Sequence, residues 1–155
     1  MSQQAVLAEL QQKTGQETHV GDWVPVEQER INQFADATGD HQWIHVDPQR
    51  AKAESPFKDT IAHGFLTLSM LPSLTREVAG DQPRYPGVKL AVNYGLNKVR
   101  FPAPVKVNSQ VRARTTLKEV SEVSGGLQII REVTVEVQGG DKPCCVAETI
   151  TRLYF

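Results

Sequence analysis

The nine residues GDHQWIHVD, positions 39 to 47, gather two aspartates, two histidines, a glutamine and a tryptophan behind one glycine. Trp43 and Ile44 are large and apolar, so the stretch must pack against something, and packing draws Asp40 and His45 out of bulk water. A partly buried aspartate beside a histidine whose ordinary pKa is near 6.5 is the pair expected where a proton is passed at neutral pH. Two other readings stand beside this one. His41 and His45 are four apart, the spacing of two metal ligands on one helix face. Gly39 before them and Asp47-Pro48 after them argue for a loop instead, no glutamate lies between them and no cysteine is near, so no metal is expected. The remaining reading is a polar turn that caps helices and carries no chemistry.

The elements around this stretch must position it. AVLAEL has helical spacing and Thr14-Gly15 stops it, which predicts a short opening helix. In VEQERINQFADATGD, Ile31, Phe34 and Ala35 recur at i, i+3 and i+4, and Gly39 lies where a helix should end, so the chemical stretch begins at a helix C-terminus. Asp47-Pro48 supplies an N-cap acceptor and a proline at the first helical position of another short helix. ESPFKDTIAHG reads as an irregular connection. HGFLTLSMLPSLTREVA then carries Phe65, Leu68, Met70, Leu71 and Leu74 around its surface, which predicts a long buried central helix that Pro72 bends or divides. From Tyr85 onward four β-branched runs follow: KLAVNYGLNKVRF, SQVRARTTLKEVSEV, LQIIREVTVEVQ and CCVAETITRLYF. Turn signals at Pro102-Ala103-Pro104, Gly125-Gly126 and Gly139-Gly140-Asp141 separate them, which favours an antiparallel meander. The fold class is therefore α+β, a single domain over residues 1–155. The absence of strand-helix alternation and of a glycine-rich phosphate fingerprint disfavours a doubly wound nucleotide-binding fold.

Composition narrows the function classes. Seventeen basic against 18 acidic side chains give a net charge of -1, and they are interspersed, so neither a basic stripe nor a nucleic-acid partner is expected. The opening MSQQAVLAELQQKTGQE has neither a basic leader nor a long apolar core, and no stretch approaches a membrane span, so the expected location is cytoplasmic, with no membrane partner. Cys144 and Cys145, the only cysteines, are adjacent, which suits neither a mutual disulfide nor a tetrahedral zinc site and reads as two faces of one strand.

The run FADATGDHQWIHVDPQRA, Phe34 to Ala51, resembles the signature of the (R)-specific, type-2 enoyl-CoA hydratases of the MaoC-like family, which have the hot-dog fold. The match lies at Phe34, Gly39, Asp40, Ile44, His45 and Ala51. IAHGFLTLSM is similar to that family's entry into its central helix, and NKVRFPAPV to its following strand and turn. Gln42 and Trp43 depart from the family's Asn-Pro pair, and VKVNSQ stands where a Gly-Asp pair is common. Gln42 keeps an amide that can hold the loop or a water, one methylene longer. Trp43 would narrow an acyl tunnel or fill the core.

The resemblance implies an antiparallel β-sheet wrapped around a long central α-helix, and syn addition of water across a trans-2-enoyl-CoA, or the reverse. Asp40 and His45 would hold one water between them, remove a proton as its oxygen attacks C3 and return one to C2. The backbone N–H of Gly64, at the start of the central helix, would receive the developing enolate oxygen. No cofactor is implied, and a homodimer is. His63 reads as a hydrogen-bonded structural group before a second base. Asn93, Tyr94 and Asn97 read as strand residues before groove groups, and Lys89, Lys98 and Arg100 as a solvated strand face before ligands of coenzyme A phosphates. Three alternatives remain open: a 3-hydroxyacyl-[acyl-carrier-protein] dehydratase subunit, a thioesterase, and a non-catalytic acyl-thioester-binding partner subunit.

Overall fold

A computed structural model of the protein describes residues 2–76 and 84–155. The chain opens with helix α1 (Gln3–Lys13), whose N-cap Ser2 accepts from the Ala5 N–H through its hydroxyl. Strands β1 (Glu17–Val20) and β2 (Val24–Val26) follow, then helix α2 (Gln28–Thr38) and the short helical pieces α3 (Trp43–Val46), α4 (Pro48–Glu54), α5 (Gly64–Ser69) and α6 (Leu71–Leu74). Four long strands complete the chain: β3 (Leu90–Arg100), β4 (Ser109–Val123), β5 (Gly126–Val137) and β6 (Cys145–Tyr154).

All pairings are antiparallel, in the order β1-β4-β5-β6-β3 with β2 also beside β4. The four predicted strands are present at nearly their predicted bounds, and β4, β5 and β6 form the expected meander. The meander does not extend to β3, which lies beside β6 and not beside β4. Pro102 and Pro104 have no N–H to donate to a hairpin ladder. The segment after β3 instead crosses to the residues before α5: Val105 accepts from the Ala62 N–H, Val107 donates to Thr60, and Asn108 donates to Val26.

Alternate residues of the long strands, Val111, Ala113, Thr115 and Leu117 on β4 and Leu127, Ile129, Arg131, Val133 and Val135 on β5, are buried on one face. One end of this face packs on α2, α5 and α6 through Ile31, Leu66, Met70, Leu71 and Leu74, and the other on α1 through Val6, Leu7 and Leu10. The opposite face is polar, with Arg112 and Arg114 both bonded to Glu136. A sheet whose inner face carries its helices is the hot-dog arrangement.

The central helix is divided, as Pro72 predicts: it breaks at Met70 into α5 and α6, with Pro72 in the first turn of α6, where its missing N–H costs nothing. Its predicted tail at Glu77, Val78 and Ala79 lies outside the described residues. Leu66, Met70, Leu71 and Leu74 are buried, but Phe65 is 67% exposed, so the helix is not apolar-packed on every side. Strands β1 and β2 are too short, at four and three residues, for alternation to reveal them. Gly21 between them is required by space: a Cβ there would lie 2.6 Å from the Leu74 carbonyl oxygen. Among the described residues no helix is long and apolar enough to cross a membrane.

Candidate active site

Helix α2 ends as its sequence predicts. Gly39 adopts φ 80° and its N–H returns to the Ala35 carbonyl at 2.8 Å. A Cβ would meet nothing within 4 Å, so glycine is favoured here by backbone conformation and not by crowding. The reversal turns the chain into Asp40, whose Oδ1 accepts from the Gln42 N–H at 3.3 Å and whose side chain is half-exposed. Gln42 caps the single turn α3, accepting from the His45 N–H at 2.9 Å. The loop expected around His45 is thus a tight helical turn, held from below by α2: Gln28 donates from Nε2 to the His45 carbonyl at 2.7 Å and accepts from the Thr60 hydroxyl at 2.5 Å. Asp47 then accepts from the Arg50 N–H at 3.0 Å, the predicted N-cap of α4.

The His45 ring is 7% exposed, and its Nδ1 lies 2.7 Å from the Ile61 carbonyl oxygen. A carbonyl can only accept, so Nδ1 carries the proton and Nε2 of the neutral ring keeps its lone pair. Burial pushes the His45 pKa below its ordinary value of 6.5; the bond to Ile61 and nearby Asp40 oppose this, while His63 adds to it. His45 is therefore a neutral base at pH 7. The Ile61 N–H returns to the Ile44 carbonyl at 3.0 Å, which ties this turn to the strand of chain leading into α5.

That chain delivers His63 and Gly64. The His63 ring is 2% exposed, stacks on His45 with centroids 3.8 Å apart, and donates from Nε2 to the Asp40 carbonyl at 3.0 Å. Gly64 is the first residue of α5, where an N–H has no intrahelical partner. The Phe101 ring covers its Cα so closely that a Cβ would lie 2.8 Å from Cδ2. His45 and Gly64 share one cleft of about 300 Å³, walled by Phe57, Ile61, Thr67, Phe101, Pro104 and Cys144. Its lining is mainly apolar, as an acyl group requires. The sequence reading did not single out Phe101, Phe57 or Thr67. No local pattern marks them, because three separate segments bring them together.

The other candidates sort plainly. Asp40 and His63 are not part of the cleft wall; the His63 ring holds the Asp40 carbonyl and stacks on His45, which is. The side chain of Gln42 is exposed, and its backbone carbonyl accepts from the His45 N–H. Trp43 lies under the Arg50 guanidinium at 4.4 Å and is not in the cleft wall. His41 points away and pairs with Asp36 at 2.9 Å. On β3, Asn97 donates to Glu148 at 2.6 Å, Tyr94 carries the Arg152 guanidinium at 3.4 Å, and Asn93 faces a second groove with Leu68, Leu71 and Ile150. Lys89, Lys98 and Arg100 are exposed residues of that edge and its approach. Cys144 is buried with its thiol pushed up to about 12 by desolvation, and Cys145 to about 11, so both are inert at neutral pH. Asp40, His45 and His63 each bring a donor atom within 4.8 Å of the others, close enough to gather on a metal ion. Backbone carbonyls already engage one nitrogen of each ring.

The hot-dog sheet is the fold that the sequence resemblance implied, and the comparison with known families agrees with it. Residues 9–139 match the MaoC-like domain, and the chain belongs to that family. It is 54% identical over 147 residues to the 3-hydroxyacyl-thioester dehydratase Z of Mycobacterium tuberculosis strain H37Rv, covering 94% of each chain. It is 43% identical over 150 residues to the nodulation protein N of Rhizobium leguminosarum bv. viciae, covering 96% of this chain and 91% of that one. Among solved structures, the unliganded R-hydratase PhaJ1 of Pseudomonas aeruginosa superposes with a TM-score of 0.71 at 24% identity, over 96% of this chain and 84% of that one, a likeness of fold.

Proposed function

We propose that this protein catalyses the reversible (R)-specific hydration of trans-2-enoyl-CoA to (R)-3-hydroxyacyl-CoA, as one domain over residues 1–155. The observation that carries the reading is the fixed tautomer of His45: Nδ1–H is spent on Ile61, which leaves Nε2 basic on a residue that lines the same apolar cleft as Gly64. In the hydration direction one water lies between Asp40 and His45. The pair takes one of its protons as the water oxygen bonds to C3, and the electron pair of the C2–C3 double bond moves toward the thioester oxygen. The Gly64 N–H stabilises that enolate oxygen. The proton then goes to C2 on the same face, so the elements of water are added and nothing is oxidised. The thioester dehydratase name of a relative sharing 54% identity supports this reaction class.

Among the described residues strand β3 pairs on one side only, and Leu90, Val92, Tyr94 and Leu96 along it are exposed. An open apolar edge of this kind is covered by a second copy in the proposed homodimer, which works in the cytoplasm. Incubation with trans-2-enoyl-CoA and with the matching acyl-carrier-protein thioester, followed by chiral chromatography, tests the reaction. The expected product is the (R)-3-hydroxyacyl-CoA, formed faster than the carrier-protein product. An (S) product, release of free thiol, or turnover of the carrier-protein thioester alone overturns it. Light scattering tests the homodimer, which a monomeric mass overturns.

A further inference from the structure

We propose that His63 is a positioning residue that sets the distance between the Asp40 carboxylate and the Gly64 N–H. The inference rests on the hydratase reading, in which those two groups hold opposite ends of the reacting system. His63 occupies the N-cap position of α5, where Ser, Thr, Asp or Asn would normally accept from the first turn, and it makes no capping bond with its side chain. The ring turns back instead. Its Nε2–H donates to the backbone carbonyl of Asp40 at 3.0 Å, while Asp40 Oδ2 lies 4.0 Å from the same nitrogen, outside hydrogen-bond reach. The clamp therefore grips the peptide of Asp40 and leaves its carboxylate for water. One face of the same ring stacks on His45, 3.8 Å between centroids and 25° between planes, and Phe34 of α2 packs against it at 4.9 Å.

One residue thus touches both members of the water-holding pair through its side chain, and the peptide that follows it carries the proposed oxyanion donor. Tethering at 2% exposure holds these three groups in one frame. A ring placed only to fill space would be served by phenylalanine. His63 instead keeps Nδ1 buried without a hydrogen-bond partner, a cost that an apolar filler would not incur. The retained polar ring is accounted for by the Nε2–H bond to Asp40.

The test compares His63→Gln, His63→Asn and His63→Phe, with wild type and Asp40→Asn as controls. A glutamine amide nitrogen reaches about as far as Nε2, whereas that of asparagine stops near Nδ1. The expected result is kcat within ~3-fold of wild type for His63→Gln and a loss of ~10–100-fold for His63→Asn and His63→Phe, with KM little changed in all three. Equal kcat in all three variants, or a phenylalanine that rescues where glutamine does not, overturns the inference while an inactive Asp40→Asn leaves the hydratase reading standing. A wild type inert on every enoyl thioester removes both. Ring nitrogen NMR of the wild type decides the clamp without turnover or refolding of variants. An Nε2–H tautomer is expected for His63 and Nδ1–H for His45, and an Nδ1–H or rapidly exchanging His63 ring overturns it.

Discussion

Gly64→Ala places a methyl group on the carbon next to the N–H proposed as the oxyanion donor. Its Cβ would lie 2.8 Å from Phe101 Cδ2 and 3.0 Å from Cε2 and Cγ. Carbon atoms in contact sit roughly 3.5 Å apart, so the ring or the Gly64 backbone must yield by about 0.7 Å. Phe101 is 40% exposed and can swing outward, so the stability cost stays near ~1 kcal/mol, at the low end for an overpacked site. The chemistry is less tolerant. A donor shifted by a good part of an ångström loses much of a contact whose removal costs ~10²–10³-fold in other acyl-transfer sites. The expected loss in kcat/KM is roughly 30–100-fold, or about 2–3 kcal/mol of transition-state stabilisation. The assay is the decay of the enoyl-thioester ultraviolet absorbance with crotonyl-CoA. Adding Phe101→Ala removes the obstructing ring, and the double variant should recover most of the loss measured for Gly64→Ala. A Gly64→Ala enzyme with wild-type kcat/KM would refute the placement of the donor. A double variant no better than Gly64→Ala would refute the steric cause.

Four further outcomes follow from the same geometry. Because folding lowers the His45 pKa below 6.5, its neutral, basic form persists below that pH, so the acid limb of kcat/KM should begin below 6.5; a limb centred above 6.5 would contradict the burial argument. The same shift means the unfolded chain binds more protons as pH falls from 6.5 to the folded pKa, so His45 should subtract stability across that window, as denaturant titrations at two pH values would show. Gln28→Ala removes the bonds to the His45 carbonyl and the Thr60 hydroxyl, and should cost about 1–2 kcal/mol in urea unfolding and lower kcat, since the turn under His45 loosens. Cys144 and Cys145 should resist thiol reagents in the folded protein at pH 8 and both react once it is unfolded, which mass spectrometry reads directly.

Much of this architecture is legible in the sequence where one local cause acts. Gly39 ends α2 because its backbone must turn left-handed there, and Asp47-Pro48 starts α4 because an acceptor and a missing N–H suit that position. The long strands announce themselves by β-branched alternation. What escaped depends on tertiary packing. β1 and β2 exist only because β4 offers them an edge, and Phe65 is exposed because α5 buries Leu66 and Thr67 instead. At the site, Asp40, His45 and Gly64 could be named from motifs, and the structure places His45 and Gly64 on one cleft. The ring that joins them to Asp40, His63, reads in the sequence as a structural group, because its bond to a carbonyl 23 residues away leaves no trace in spacing. For Gln42 the motif points to the side-chain amide, while the bond that fixes the turn is made by its backbone carbonyl and the amide lies exposed beside it.

The central claim is that Asp40 and His45 jointly activate one water. Its most direct test is the initial rate of crotonyl-CoA hydration by the wild type, Asp40→Asn and His45→Gln, each shown to be folded by circular dichroism. The expected result is wild-type turnover of ~1–1000 per second and a loss of ~10²–10⁴-fold in each variant, with the double variant little worse than either. Wild-type rates in either single variant would contradict it.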